Sequence, residues 1–457
     1  MSVVKPSASA AARPGLVRER ARALAGISLG YFMVLLDMTV LSVAEPDLAS
    51  SLHASMAGLQ WATTSYTVAF AALLLSAGAA ADRFGAERLF RGGIIAFTLA
   101  SLLSAFAPAL WALVLLRAIL GIAAAACVPA SMAMIARLYP GPAARARAIS
   151  TWAAISGAAV AAGPIAGGAL VSVAGWRSVF LINVPLGLGV LALTLGRAVA
   201  CPRDDRRIDW PAQLAAVAVL ALFTDALIAA GARAWAHMVW SLVGLAASGL
   251  AFWALEQRSQ APVLDRALLR AGRVRAGLLA AAAVNFALTG GLFVLPLLLQ
   301  QQWQLNPLQT GLAFLPLTVP FAANPPVTGK IVARVGPRRP ILAGLGLLAA
   351  GGAVLSAAVF AGAGYLWLAV GLVMTGFGVS FALPALVTAI VSVAPAGTAG
   401  AVGGLLNAVR QVGATLGVVV MGAAVATGTG WALLLSAAVC AIAWLVFAAA
   451  RREQPTS

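Results

Sequence analysis

Long apolar runs separated by short polar loops dominate this chain and predict its architecture. Most runs reach about 20 residues or more, the length that an α-helix needs to cross a lipid bilayer. They are continuous and rich in Ala, Leu, Gly and Val, whereas the strands of a membrane β-barrel would alternate in polarity over about 10 residues. The pattern therefore predicts an all-α integral membrane protein.

The runs predict fourteen transmembrane helices, which two charged segments divide into groups of six, two and six. The predicted spans lie near residues 25–49, 58–81, 92–109, 111–136, 148–173, 178–199, 211–230, 236–255, 276–301, 308–329, 340–361, 365–393, 400–426 and 430–450. The predicted divisions are an N-terminal tail (1–24), a six-helix bundle (25–199), charged linkers with two additional helices (200–275), a second six-helix bundle (276–450) and a C-terminal tail (451–457).

A short arginine-bearing loop occurs twice along the chain. Residues 78–88 read Gly-Ala-Ala-Ala-Asp-Arg-Phe-Gly-Ala-Glu-Arg, and residues 329–339 read Gly-Lys-Ile-Val-Ala-Arg-Val-Gly-Pro-Arg-Arg. Each copy joins two long apolar runs. This repetition predicts two related halves of one membrane protein.

Composition and charge narrow the class further. The chain is 62% hydrophobic and 9% charged, with a mean hydropathy of +0.98. A net charge of +17 is also typical of nucleic-acid-binding proteins. However, all but four of the 30 Lys and Arg residues fall in the tails or in every second loop, which is the positive-inside pattern of membrane proteins. We therefore predict a multi-pass protein of the bacterial inner membrane, with both termini in the cytoplasm and no nucleic-acid partner.

A polytopic membrane enzyme is the remote alternative. Its best support is Asp204-Asp205 with Asp209, but arginines interleave these carboxylates and a metal–diphosphate site usually has a second such cluster. His53 and His237 are isolated, so no metal site is expected. The chain also lacks a Gly-x-x-x-x-Gly-Lys-Ser/Thr loop, which argues against ATP as the energy source. We expect a transporter without a cofactor.

Motifs in both halves resemble the major facilitator superfamily, and within it the fourteen-helix drug/proton antiporter branch. They are Leu36-Asp37-Met38-Thr39-Val40 with Pro46 in the first helix, 78–88 in the following loop, Arg117 with Gly121, Gly157, Gly163-Pro164 and Gly167-Gly168, then Trp176-Arg177, Phe180, Asn183 and Pro185, and finally Asn407, Arg410, Gln411 and Gly413.

The resemblance implies two six-helix bundles that rock about a midplane site, with two intervening helices. It also implies that proton influx drives the export of small amphipathic or cationic compounds such as antibiotics, and we expect a monomer. The alternative within transporters is an exporter or facilitator of one metabolite without drug specificity.

Asp37 and Arg117 are the first candidates for proton coupling. Asp37 lies about 12 residues into the first span, hence roughly 18 Å deep, where an ionised carboxylate is costly unless a cation or water stabilises it. A structural hydrogen bond is the alternative role. Arg117 must face the bundle interior, and Asp37 is its strongest candidate partner at comparable depth in the first six spans. We expect the two side chains to meet, unless Arg117 binds backbone carbonyls or extends to the cytosol.

Glu45 replaces a residue that is apolar in the family pattern. Glu45 and Asp47 lie near the outer end of the first span, so both are expected to be exposed to external water. Glu45 is then either a solvated helix end or a group that selects cations or accepts the external proton. Asp225, late in the seventh span, is expected to have a structural role.

The first loop copy resembles a conformational latch, built from Gly78, Asp82, Arg83, Gly85 and Arg88. Gly78 and Gly85 are expected to permit close helix approach and a tight turn, and Asp82 can accept hydrogen bonds from helix ends or arginines. The resemblance implies that this loop ties the cytosolic ends of the bundles together in the outward-open state. The alternative is simple anchoring of the loop by its arginines.

Small residues line the fifth span and resemble an antiporter motif. Gly157, Gly163, Pro164, Gly167 and Gly168 are expected to form a surface for close helix contact and a bend, although generic packing gives the same pattern. Polar and aromatic residues elsewhere are candidates for lining a central cavity, namely Tyr31, Trp61, Tyr66, Asn285, Phe293 and Gln300.

The two loop copies differ where the first has Asp82 and the second has Ala333. We predict that only the first copy works as a latch, because only its carboxylate can accept hydrogen bonds. Asp82→Asn should therefore slow transport of an exported compound more than substitutions at Ala333 do, measured at equal expression. Equal losses at the two positions would show that the loops act alike.

Overall fold

The computed structural model describes residues 14–195, 209–258, 272–392 and 399–450, which are helical apart from short turns. The helices are α1 (Pro14–Ser51), α2 (Met56–Phe84), α3 (Ala86–Ala105), α4 (Leu110–Leu138), α5 (Pro142–Ala174), α6 (Ser178–Leu181), α7 (Asn183–Thr194), α8 (Trp210–Gly231), α9 (Trp235–Arg258), α10 (Gly272–Leu297), α11 (Pro307–Ala313), α12 (Leu315–Ala323), α13 (Pro325–Val335), α14 (Arg338–Phe360), α15 (Tyr365–Val391), α16 (Ala399–Val425) and α17 (Thr429–Ala449). Asp204, Asp205 and the central parts of both linkers lie outside the described residues.

Helix lengths bear on the predicted number of membrane crossings. Among the described residues, eleven helices are long and apolar enough to cross a membrane, and the number is twelve when the two segments of α2, bent by 63°, are counted as one span. Each remaining predicted span coincides with shorter helices, α6–α7 and α11–α13. In the latter, prolines near the starts of α11, α12 and α13 interrupt the run. The helical membrane architecture is as predicted, whereas the count of fourteen stays a prediction.

The two halves of the chain repeat one packing pattern. In the first half α1 packs against α5, α2 against α4, and α3 against α4. The matching pairs of the second half are α10 with α16, α12 with α15, and α14 with α15. The repeated loop follows the same symmetry, since Gly85 and Gly336 end their helices with positive φ angles of 88° and 76°. The tertiary structure thus carries the duplication that the loop sequences indicate.

We call the end of the molecule with the turns at Gly85 and Gly336 the basic end, and the other the opposite end. The halves meet where α2 packs on α16 and where α5 packs on α11 and α12. Toward the opposite end, a Cβ on Gly168 of α5 would overlap the carbonyl oxygen of Pro307. Nearer the basic end of the same helix, a Cβ on Gly157 would have no atom within 4 Å. Along α5 the halves are therefore closely joined at the opposite end.

The helices α8 and α9 form a hairpin outside this interface. Helix α8 packs on α2 and on α16, so it contacts both halves. Its Gln213 donates a hydrogen bond to the carbonyl oxygen of Ala72 and accepts one from Ser76. Only 6% of the residues in the apolar stretch of α9 are buried, so most of this helix is available for contact with lipid.

Close packing of α16 on α10 gives a test of the second half. A Cβ on Gly413 would overlap the carbonyl oxygen of Ala282, whereas one on Gly403 of the same helix would meet no atom within 4 Å. We predict that Gly413→Ala lowers the thermal stability of the purified protein by about 1–3 kcal/mol, because the backbones must separate. Gly403→Ala should leave it unchanged or raise it, since alanine favours helix. Equal effects would contradict the close packing.

Candidate functional site

A buried ion pair joins two helices of the first half. Nη1 of Arg117 on α4 donates a hydrogen bond to Oδ2 of Asp37 on α1. The two side chains are 2% and 1% exposed, so water screens their attraction little. The structure therefore brings together the two residues that are expected to meet.

Asn183 on α7 supplies a second partner for the same carboxylate. Its Nδ2 donates to Oδ1 of Asp37 at 2.8 Å and to Oγ of Ser101 on α3 at 2.9 Å. Ser101 in turn donates to the carbonyl oxygen of Phe180 at 3.1 Å. The sequence pattern does not identify Asn183 or Ser101 as partners of Asp37. The one signal it offers is that each is a polar residue inside an apolar helix.

The guanidinium of Arg117 also has partners besides Asp37. Its Nε donates to the carbonyl oxygen of Ala62 on α2 at 3.1 Å, and its Cζ lies 4.6 Å from the centre of the Tyr66 ring, in a cation–π contact. The Tyr66 hydroxyl donates to the carbonyl oxygen of Val34 at 3.3 Å. These contacts can hold Arg117 in place when the charge of Asp37 changes.

This arrangement is suited to binding and releasing a proton. A proton on Asp37 would remove one charge of the ion pair and weaken its hydrogen bond with Arg117, because charge-assisted bonds are the stronger ones. The three principal side chains come from α1, α4 and α7, so protonation would change the contacts of three helices together. A coupling role for Asp37 and Arg117 stays a prediction.

Glu45 departs from its prediction, because the side chain is 2% exposed rather than open to external water. Its Oε1 accepts a hydrogen bond from Thr63 on α2 at 2.9 Å, and its Oε2 has no hydrogen-bond partner among the described residues. The cause is closure of the opposite end. Here α2 covers this part of α1, and Gln300 of the second half donates to the carbonyl oxygen of Val43 at 2.9 Å.

Asp47 also differs from a solvated helix end. Its side chain is half-buried, and Oδ2 accepts a hydrogen bond from the backbone N–H of Trp176 at 2.8 Å. This bond secures the turn after α5, where Gly175 has a φ of 70°. Asp47 therefore makes a structural contact.

The latch motif lies in the turn between α2 and α3. Gly85 supplies the predicted tight turn, while Arg83 and Arg88 are exposed and Asp82 is half-buried. The expected close helix approach at Gly78 is wrong for this structure, because a Cβ there would meet no atom within 4 Å. The bend of α2 after Leu74 directs this segment away from the rest of the helix. A groove at the basic end is lined by Arg83, Phe84, Arg88, Leu89, Gly92 and Gly93.

The small residues of α5 divide into two groups. A Cβ on Gly163 would overlap the Thr39 side chain, and one on Gly167 would crowd the carbonyl oxygen of Val40, so both glycines allow α1 to approach. The second group faces α11 of the other half. Gly168 allows the backbone of Pro307 to approach, and the carbonyl of Pro164 lies against Gly311. Gly157 is outside this contact surface, because a Cβ there would meet no atom within 4 Å, and this corrects its predicted packing role.

The candidate cavity residues have different environments. Tyr66 and Phe293 are 0% and 1% exposed, so they do not line an open cavity; Tyr66 packs against Arg117, and Phe293 packs close to Gly422. Asn285 is buried and donates to the carbonyl oxygen of Ala281 on its own helix at 2.9 Å. Tyr31, Trp61 and Gln300 are half-buried. Tyr31 stacks on Trp152 of α5, with ring centres 4.4 Å apart and planes at 6°.

Asp225 and Asp209 make contacts of a structural kind. Oδ2 of Asp225 on α8 lies 2.7 Å from Nε2 of His237 and accepts a hydrogen bond from Ser241 at 2.5 Å, both on α9. Asp209 caps the start of α8 by accepting from the N–H of Ala212 at 3.1 Å. Among the described residues, no cluster of three or more His, Cys, Asp and Glu side chains could hold a metal ion.

Comparison with known proteins gives one consistent assignment. The family profile described as Major Facilitator Superfamily matches residues 27–257 and 277–457. The chain is 34% identical over 418 residues to the tetracenomycin C resistance and export protein of Streptomyces glaucescens, covering 89% of this chain and 76% of that protein. It is 33% identical over 436 residues to the methylenomycin A resistance protein of Bacillus subtilis strain 168, covering 93% of each.

A solved structure shares the fold at lower sequence identity. It is a bacterial homologue of the human lysosomal transporter Spinster in an inward-facing and unoccupied conformation, with a TM-score of 0.69 and 19% identity over 94% of this chain and 96% of that one.

The ion pair predicts strong coupling between its two residues. Asp37→Asn and Arg117→Gln should each destabilise the purified protein by about 3–5 kcal/mol, because each leaves a buried group without its partner. The double variant should lose less than the sum of the two, measured by thermal unfolding. As a control, Asp37→Asn combined with Arg177→Gln should be additive, since Arg177 lies instead over the Trp176 ring. Additivity in both pairs would contradict the coupling.

Proposed function

Because the chain belongs to the major facilitator superfamily, we propose that it exports small amphipathic compounds of the antibiotic type in exchange for protons. The observation that carries this proposal is the buried Asp37–Arg117 pair, which joins α1 to α4. The relatives whose names describe antibiotic resistance or export support the class of substrate.

The proposed cycle alternates between two protonation states of Asp37. With the carboxylate charged, Arg117 and Asn183 hold α1, α4 and α7 together, as in this conformation. A proton that arrives from outside weakens the Arg117 contact, while Ala62 and Tyr66 retain the guanidinium. The membrane potential can drive this step, since one charge crossing 100 mV is worth about 2.3 kcal/mol.

The same proposal includes the orientation of the chain in the membrane and its division into helix bundles. The positive-inside pattern supports a cytoplasmic basic end with both chain termini, in the inner membrane of a bacterium. In that orientation the close contact of Gly168 with Pro307 lies on the outer side, which supports an inward-facing assignment of this conformation. The repeated packing supports two six-helix bundles, 25–199 and 276–450, with two additional helices between them. We expect a monomer, since each copy holds both halves.

Cationic substrates receive less support than neutral amphipathic ones. In this conformation, the carboxylate of Asp37 already accepts hydrogen bonds from Arg117 and Asn183 on its two oxygens. A cation would have to displace Arg117 to bind there. Glu45 retains one oxygen without a partner among the described residues, but its side chain is 2% exposed.

Everted membrane vesicles test antiport directly. Vesicles that carry the wild-type chain are acidified inside by respiration, and tetracenomycin C or methylenomycin A is then added. We predict release of protons from the lumen, read with a pH-sensitive dye, and at least a tenfold smaller release for Asp37→Asn.

Asp225→Asn is the matched control, because its carboxylate lies on the peripheral hairpin and should leave proton release unchanged within twofold. Absence of substrate-induced release from wild-type vesicles would refute antiport of these compounds. Equal release by wild type and Asp37→Asn would remove Asp37 from the coupling step.

A further inference from the structure

Glu45 on α1 is a second buried carboxyl group of the first half, and its pairing is incomplete. The side chain is 2% exposed, and Oε1 accepts one hydrogen bond, from the Thr63 hydroxyl on α2 at 2.9 Å. Among the described residues, Oε2 has no hydrogen-bond partner and neither oxygen has a Lys, Arg or His nitrogen within 4.0 Å. Asp37, by contrast, has a guanidinium and an amide as donors. Glu45 therefore lacks the partners that a buried negative charge requires.

The carboxyl group lies beside hydrogen bonds that join the two halves at the opposite end. Two residues earlier on α1, the carbonyl oxygen of Val43 accepts a hydrogen bond from Gln300 at 2.9 Å. One turn before Thr63 on α2, Gln60 donates to the carbonyl oxygen of Val419 on α16 at 3.1 Å. Both bonds must break when the halves separate at this end. Separation would then admit water to a carboxyl group that is now covered.

Charged side chains on the elements around this part of α1 have other partners. Arg117 on α4 pairs with Asp37, while Asp47 and Arg177 both contact Trp176 at the turn after α5. The neighbouring stretches toward the opposite end contain no charged residue; they are 56–70 of α2, 157–174 of α5, 285–297 of α10, 411–425 of α16 and the whole of α6, α7 and α11. A neutral acid costs far less to bury in such surroundings than an ionised one.

We propose that Glu45 binds a proton from external water as the opposite end closes and returns it to external water as that end opens. The inference rests on the proposed function for the outer position of this end and for the alternation between two open ends. It adds to Asp37 a second proton site with a different task. The proton joins Oε2 and leaves it on the same side of the membrane, so no net charge crosses.

This site makes closure of the opposite end depend on external pH. The closed form binds the proton and the open form leaves the carboxylate hydrated, so a lower pH favours closure. One titrating group can shift the ratio of the open to the closed form by at most about tenfold per pH unit. Ionisation of Asp37 acts in the other direction, since its charged form pairs with Arg117 in the present conformation.

Infrared spectroscopy of the full-length protein tests whether Glu45 holds a proton. The protein is kept at about pH 7 in a maltoside detergent, which has no carbonyl group; an ordinary glutamate, with a pKa of about 4.3, is ionised at this pH. A protonated carboxyl group has a carbonyl stretching band that a carboxylate lacks. The wild type should show this band, and Glu45→Gln should lack it.

Two further variants connect the band with the geometry. Thr63→Val should keep the band and move it to a higher wavenumber, because the carbonyl oxygen loses its one hydrogen bond. Asp47→Asn is the matched control, since its carboxyl group is near the same end of α1 but has a backbone N–H as donor, and the band should not change.

Distance measurements between spin labels test the effect on closure. The labels are placed on the exposed positions Ser51 and Ala361, one in each half at the opposite end, after the three native cysteines are replaced by alanine. In lipid nanodiscs, the ratio of the open to the closed form of the wild type should rise at least threefold from about pH 5 to about pH 8. In Glu45→Gln, which cannot ionise, the ratio should not rise.

Two outcomes would overturn the inference. They are a carbonyl band that Glu45→Gln retains in full, and a wild-type ratio that responds to pH no more than that of Glu45→Gln. Neither measurement uses an exported compound. Absence of proton release in the vesicle experiment, with both Glu45 results as expected, would refute antiport and leave this proton site standing. Proton release from vesicles together with either contrary Glu45 result would refute this site alone.

Discussion

The cost of placing charge inside a bilayer is the constraint on which the rest of this structure depends. Arg117 and Asp37 lie at depths where neither can be solvated, so each requires the other. Their pairing orients α4 against α1, and the partners of the pair extend this order to α2, α3 and α7. One hydrogen-bonded network around Asp37 and Arg117 therefore joins five helices of the first half.

Backbone proximity provides the second constraint. Lipid offers no hydrophobic drive for helices to associate, so close approach at small residues has to stabilise their contacts. On α5 the glycines toward the opposite end approach α1 and α11 closely, whereas a Cβ on Gly157 would meet no atom within 4 Å. One helix thus carries both a tight contact between the halves and a stretch without one. A rocking motion needs this combination, because one end must close as the other opens.

The deeply placed charged groups form a graded series. Arg117 has a carboxylate, a carbonyl and an aromatic ring as partners. Glu45 has one hydroxyl for its two oxygens, and Arg410 has one amide for its guanidinium. A fully paired group is costly to disturb, whereas an incompletely paired one gains stability when a ligand or proton arrives. The series therefore separates a fully paired group, Arg117, from two groups whose hydrogen-bonding capacity is only partly used.

The sequence by itself determined those features that depend on single residues or on the length and order of apolar runs. Apolar length gives the membrane helices, the distribution of arginines gives the sidedness that we propose, and the repeated loop gives the duplication that the helix packing also has. The pairing of Asp37 with Arg117 could be predicted from the sequence, because few residues of opposite charge lie at that depth. Each of these conclusions needs only the solvation preference of a side chain or a count along the chain.

Only the tertiary structure decided which helices face one another and with what rotation. Asn183 became a partner of Asp37, Glu45 became buried instead of exposed, and Arg410 donates a hydrogen bond to Asn407 of its own helix. These outcomes depend on contacts between residues tens to hundreds of positions apart. An apolar helix in lipid carries little periodic pattern to indicate its inward face, because lipid and protein interior are similarly apolar. The sequence therefore leaves helix rotation undetermined, and packing of small residues and paired polar groups selects it.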